Sequence, residues 1–106
     1  MAKLHISPLA SDDLLSIKEY IENELYSPAA AKNTLAKITK SLRLLIDFPL
    51  SGSSLSNITD FETDYRFTVI GNYISFYRYI NDTVFVDRIL YAKRDYIKIL
   101  FGEIEE

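Results

Sequence analysis

The second half of the chain constrains the fold most. Three runs, "YRFTVIG", "YISFYRYI" and "TVFVDRILYA", are dense in aromatic and β-branched residues, the composition of pleated, half-buried surface. Gly71-Asn72 and Asn81-Asp82 stand between them, and both pairs are hairpin signals. The pattern predicts three consecutive antiparallel strands.

The first half has a different period. "LHISPL" reads as a short strand that Pro8 ends, because proline cannot donate to a ladder. "SDDLLSIKEYIENEL" reads as a helix with Ser11 as N-cap and with Asp12 and Asp13 near the positive end of the dipole. Leu14, Ile17, Tyr20, Ile21 and Leu25 recur at helical spacing. A second helix runs through "SPAAAKNTLAKITKSLRLLIDFP", with Ser27 as cap, Pro28 at the first helical position and Pro49 as the stop. Its stripe is Leu35, Ile38, Leu42, Leu45 and Ile46. So short a connection predicts an antiparallel helical hairpin. "LSGSSLSN" is a polar loop, and "RDYIKILF" closes the chain with a turn of helix packed by Tyr96, Ile97, Leu100 and Phe101. The fold class is therefore α+β, in the order β-α-α-β-β-β, with an antiparallel sheet packed on a helical hairpin. With 106 residues, no repeat and no linker, the expectation is one domain over residues 1–106.

Composition narrows the function. The chain has no cysteine, so neither a disulfide nor a thiolate metal site is available. The N-terminus lacks a signal-peptide core and no apolar run approaches a membrane span; a soluble, cytoplasmic protein with no membrane contact is expected. The net charge of −3 is unevenly spread. Residues 66–98 hold Arg66, Arg78, Arg88, Lys93, Arg94 and Lys98 against Asp82, Asp87 and Asp95, while the tail "GEIEE" is acidic. A local basic region on an acidic chain does not suit avid, sequence-independent nucleic-acid binding, which scales with the phosphates neutralised.

Candidate chemistry is sparse. His5 is the only histidine and sits on an expected edge strand. The acids of the first helix, Asp12, Asp13, Glu19, Glu22 and Glu24, fit a solvated, capping face better than a metal site, and no cofactor is expected. "GSS" lacks the surroundings of a nucleophile elbow. Tyr73, Tyr77 and Tyr79 alternate along one strand, as core or interface residues do. A metal-independent ribonuclease needs charge stabilisation, which Arg and Lys supply, and a proton shuttle. Arg66 and Arg94, with Tyr91 and Tyr96, are the candidates for such a set, with Lys93 a further shuttle. The other use of Arg66, Arg78, Arg88, Lys93 and Arg94 is to bind a partner or target. The plainest alternative pairs them with acids. Strand parity matters here: a two-residue turn at Asn81-Asp82 sends Arg78 and Arg88 to opposite faces, and one extra residue unites them. In the latter register Asp87 needs a partner.

The chain resembles the RelE/ParE toxin superfamily. "ISPLASDDLLSIKEYI" is similar to its opening, "FPLSG" (Phe48 to Gly52) to its Pro-x-x-Gly after helix 2, and "YRFTVIGNYISFYRYINDTVFVDRILYAKRD" to its sheet. The resemblance spans nearly the whole chain and implies the small α+β, microbial RNase-like fold and the toxin half of a type II toxin–antitoxin module. It also implies an antitoxin partner whose C-terminal segment wraps the toxin, and contact with DNA only through that antitoxin. One branch resembles RelE, a ribosome-dependent mRNA endoribonuclease. There Arg66 and Thr68 stand at a pair of expected cations, Ile74 stands for an expected Arg, Tyr91 for a frequent His, and only Arg94 matches. One lost charge-stabilising donor costs roughly 3–4 kcal/mol in the transition state. The other branch, ParE, implies inhibition of DNA gyrase without nuclease activity, and "FYRY…RILYAKRD" is closer to it. A ParE-like toxin is the favoured expectation, a RelE-like endoribonuclease the alternative, and a non-toxic, degenerate antitoxin-binding module the third.

Overall fold

A computed structural model describes residues 2–102. The elements are β1 (Lys3–Ile6), α1 (Pro8–Asn23), α2 (Pro28–Asp47), β2 (Ser53–Ser54), a 3-10 turn at Leu55–Asn57, β3 (Arg66–Ile70), β4 (Tyr73–Ile80), β5 (Thr83–Tyr91) and α3 (Tyr96–Phe101). The acidic tail from Glu103 lies outside the described residues.

Helix α1 starts one turn earlier than the Ser11 cap predicted. Ser7 is the N-cap: its Oγ accepts from the Ala10 N–H at 3.0 Å and donates to the Asp87 carbonyl at 2.8 Å. Pro8 takes the first helical position, where its missing N–H costs nothing and its fixed φ is already helical. Asp12 and Asp13 therefore stand in the second turn, and Asp13 is released for another task. Helix α2 follows its signals, with Ser27 accepting from Ala30 and Pro28 first. The segment predicted as polar loop contains β2 and the 3-10 turn, with Leu55 fully buried.

The sheet order is β1-β5-β4-β3-β2. The β3-β4-β5 meander is antiparallel as predicted, but β1 joins parallel to β5, so the sheet is mixed. The connections require this. Asp13 of α1 lies beside Ile89, at the far end of β5 from Thr83, and α2 returns the chain so that the Ile46 carbonyl accepts from Ala2 N–H. β3 then starts near the end from which β1 started, and a three-strand meander restores that direction in β5. Asn81 and Asp82 form the two-residue turn in the left-handed region, with φ of 49° and 61°, a conformation their short polar side chains tolerate.

Both sheet faces are covered. Ile17, Ile21, Ile38, Leu42 and Leu45 of the helical hairpin bury Tyr77, Val84, Val86 and Ile89. On the opposite face, Phe76 and Leu90 are buried under Leu55, Tyr65, Phe67, Ile97, Leu100 and Phe101. The short helix α3 and the 55–65 segment form this second layer because both carry apolar residues that the helical hairpin leaves no room for.

Candidate functional site

The arginines are best followed from the loop after α2. Gly52 sits where no side chain fits: a Cβ there would lie 2.5 Å from Tyr77 Oη and 2.8 Å from the Phe67 carbonyl. That close approach lets Gly52 N–H donate to Tyr77 Oη at 3.0 Å, while Tyr77 O–H donates to the Pro49 carbonyl at 2.9 Å. Arg66 completes the clasp, with Nη2 donating to the carbonyls of Leu50 at 3.0 Å and Gly52 at 2.7 Å. The "FPLSG" motif thus has a packing reason, and Arg66 holds it to β3.

Arg78 and Arg88 are held differently. The two-residue turn predicts opposite faces for them, but a β-bulge intervenes. Tyr77 pairs with Val86 while Phe76 pairs with Arg88, leaving Asp87 as the extra residue. The bulge resets the parity, so the register places Arg88 in phase with Arg78. No basic cluster results, because each cation has its own acid. Arg78 Nε donates to Asp87 Oδ2 at 2.9 Å and its guanidinium lies 5.4 Å from the Tyr65 ring centroid; Tyr65 O–H donates to the same Asp87 oxygen at 2.8 Å. Burial first, then this bond, pushes the Tyr65 phenol up to about 12. Burial draws the Arg78 guanidinium down, and the Asp87 bond and charge more than offset it. Arg88 grips Asp13 with both arms, Nε to Oδ2 at 2.8 Å and Nη2 to Oδ1 at 2.9 Å, which raises its pKa. Ile89 N–H also donates to Asp13 Oδ2 at 2.9 Å. Asp13 thereby ties α1 to the β5 edge where β1 has ended, a role that its expected place in the first helical turn had concealed.

Lys93 and Arg94 are exposed, and neither side chain has a partner among the described residues. Asp95 caps α3 by accepting from Lys98 N–H. Arg94 stands at the rim of a groove of about 520 Å³ built by α1 (Asp13, Ser16, Ile17, Tyr20), Leu25, the start of β4, and the end of β5. Tyr73 and Tyr91 lie in it with ring centroids 6.0 Å apart. Burial, then the nearby Tyr20 and Tyr91, raises the Tyr73 pKa.

The residues considered for a nuclease do not converge. Arg66 is opposite Tyr77 and Tyr91 opposite Tyr73, four strand positions or roughly 13 Å apart. Tyr96 stacks on Phe76, on the other face, at 5.2 Å. Thr68 lies opposite the fully buried Ser75, and Ile74 packs in the second core. His5 stacks edge-on with Phe85 on β5. Among the described residues no three metal-ligating side chains come together, and no helix is long and apolar enough to cross a membrane.

Comparison with known proteins agrees with this architecture. The family model described as "ParE toxin of type II toxin-antitoxin system, parDE" matches residues 4–96. Among solved structures, a chain titled "Chromosomal ParDE TA system from P. aeruginosa" superposes with a TM-score of 0.74 at 17% identity, covering 88% of this chain and 98% of that one. That identity speaks for the fold. The curated proteins contain no match.

Proposed function

Since the chain belongs to the ParE toxin family of type II toxin–antitoxin systems, we propose that it arrests growth by acting on DNA gyrase, without cutting RNA, and that a cognate antitoxin neutralises it. The observation that carries this reading is the use made of the arginines. Arg66, Arg78 and Arg88 are bonded to loop carbonyls, Asp87 and Asp13. A guanidinium already committed to a carboxylate offers little stabilisation to a developing phosphorane. The proton shuttles are scattered over both faces of the sheet. Lys93 and Arg94, exposed beside an aromatic groove, serve a protein partner instead, and DNA is reached only through the antitoxin. The folded domain suits the cytoplasm, where gyrase works.

Inducible expression without the antitoxin tests this, with plasmid supercoiling and primer extension on translated mRNA followed together. The expected result is growth arrest with altered supercoiling or accumulated gyrase–DNA complexes and intact messages. Codon-linked breaks with normal supercoiling would establish the endoribonuclease instead. Undisturbed growth would leave a non-toxic, antitoxin-binding module.

A further inference from the structure

The helical hairpin divides its charges by helix. α1 and the connection after it carry five acids and one cation, whereas α2 carries four cations and one acid. Asp13 is spent on Arg88, and Glu22 pairs with Lys18 at 2.8 Å. Asp12 and Glu19 are exposed, as are Lys32, Lys37, Lys40 and Arg43 of α2, and none of them enters an ion pair among the described residues. Their positions explain why. Asp12 and Glu19 each stand two residues on from the buried Ala10 and Ile17, and Lys40 stands two from both Ile38 and Leu42. Two residues turn a helix by about 200°. These side chains therefore crown two adjacent helices, pointing away from the sheet and not toward one another. The same surface holds apolar groups: Leu15 is 53% exposed and Leu44 50%, and a shallow depression along α2 runs past Ala36, Lys40, Arg43 and Leu44.

A nucleic acid laid on this surface would be attracted by α2 and repelled by α1. A partner that fits both helices presents the two signs in reversed order, and a second copy of this chain does so. Of the two ways to stack one hairpin face on another about a two-fold axis, charge selects one. An axis across the helices sets α1 on α1 and α2 on α2, like charge on like. An axis parallel to the helices sets α1 of each copy on α2 of the other, antiparallel, as in an up-down four-helix bundle. Rotation about that axis keeps every residue at its own height. α1 ends at Asn23 and α2 begins at Pro28, so equal heights are reached by counting back from one and forward from the other. That count brings Glu19 to the partner's Lys32, Leu15 to the partner's Ala36, and Asp12 to within one residue of the partner's Lys40. A helix the length of α1 spans about 24 Å, so two side by side offer roughly 500 Å² per copy. The total of roughly 1,000 Å² is the lower end of specific interfaces, which makes the association weak and sensitive to salt.

We propose that two copies of the chain associate through the outer faces of their helical hairpins, with Glu19 on the partner's Lys32, Asp12 on the partner's Lys40 and Leu15 against the partner's Ala36. The pairing is independent of the target and the antitoxin proposed above. The test is sedimentation equilibrium of the purified chain over a range of concentration and salt. The expected result is a reversible monomer–dimer equilibrium with Kd of some tens of micromolar at about 0.05 M salt, weakened about tenfold or more at about 0.5 M. Glu19→Lys alone and Lys32→Glu alone set like charges at both symmetric contacts. Each should weaken the dimer about tenfold or more, with unchanged melting temperature because both side chains are exposed. An equimolar mixture of the two variants should recover the parent's affinity, since each chain then offers the other the missing opposite charge. A dimer formed by any other surface does not give that recovery. A chain that stays monomeric throughout overturns the proposal, as does a dimer unaffected by both variants or one that the mixture fails to restore. Retardation of a labelled duplex oligonucleotide by a monomeric chain, lost in Lys32→Glu, would make nucleic acid the occupant of α2 and reject the second copy.

Discussion

The clasp around Asp13 and the rim around Arg94 lie side by side on the same groove, yet their cations do opposite things. Arg88 is mostly buried and makes two bonds to Asp13, which a third bond from Ile89 N–H completes. Arg94, six residues on, is exposed and has no partner among the described residues. Charge in a sequence is therefore a poor guide to charge available for binding. A guanidinium near a carboxylate that the fold has fixed is consumed by the fold; only a cation beyond the reach of such acids is left for a partner.

The comparison is broken most directly at Asp13. Asp13→Ala strands Arg88 and the Ile89 N–H in a mostly buried setting and should lower unfolding free energy by about 3 kcal/mol, measured by urea denaturation. A loss below about 0.5 kcal/mol would put Arg88 in the same class as Arg94. Gly52→Ala comes next. Its Cβ would collide with the Tyr77 ring and the Phe67 carbonyl, an overpacking cost of about 2 kcal/mol, and the loop held by Arg66 should show faster amide exchange. Tyr65→Phe should cost about 1 kcal/mol at neutral pH through the lost bond to Asp87. It also has a pH signature. The fold favours the protonated phenol, so that contribution is complete below the ordinary value of 10.0 and is lost as pH climbs through about 12. Thermal melts across this alkaline window should fall less steeply for Tyr65→Phe than for the parent. The smallest stability effect is expected at Arg94→Ala, within about 0.5 kcal/mol, with toxicity or antitoxin binding reduced far more. Equal losses of melting temperature and activity would show that Arg94, too, is spent on the fold.

Much of the architecture could be read in advance because its signals are local. Ser27-Pro28, Pro49 and the Asn81-Asp82 turn each act through their own backbone, and all three stand where expected. The Ser7 cap was missed because Ser11, followed by two aspartates, offers an equally good local signal; the choice was made by Ser7 also reaching the Asp87 carbonyl on β5. The candidate site was less legible. Neither the bond of Asp13 with Arg88 nor that of Tyr65 with Asp87 was expected, since the partners lie 75 and 22 residues apart and Asp87 sits in a bulge. A carboxylate that recurs at a helix start looks like a cap until the strand beside it is known. Around Arg66 the sequence marked only "FPLSG", through the family resemblance, and the steric reason for its glycine came from the structure.

The sequence alone determined a helical hairpin, a three-strand meander, the absence of thiol chemistry and the family resemblance, because periodicity, turn residues and composition are properties of neighbours along the chain. Tertiary structure alone decided that β1 runs parallel to β5, that a bulge at Asp87 rephases β5, that α3 covers the second face, and which cations are consumed. Each of these depends on distant segments meeting, and a bulge of one residue is enough to exchange the faces of a strand. Six cations between Arg66 and Lys98 are visible in the sequence; that Lys93 and Arg94 stand free of the described acids follows from where Asp13 and Asp87 come to rest.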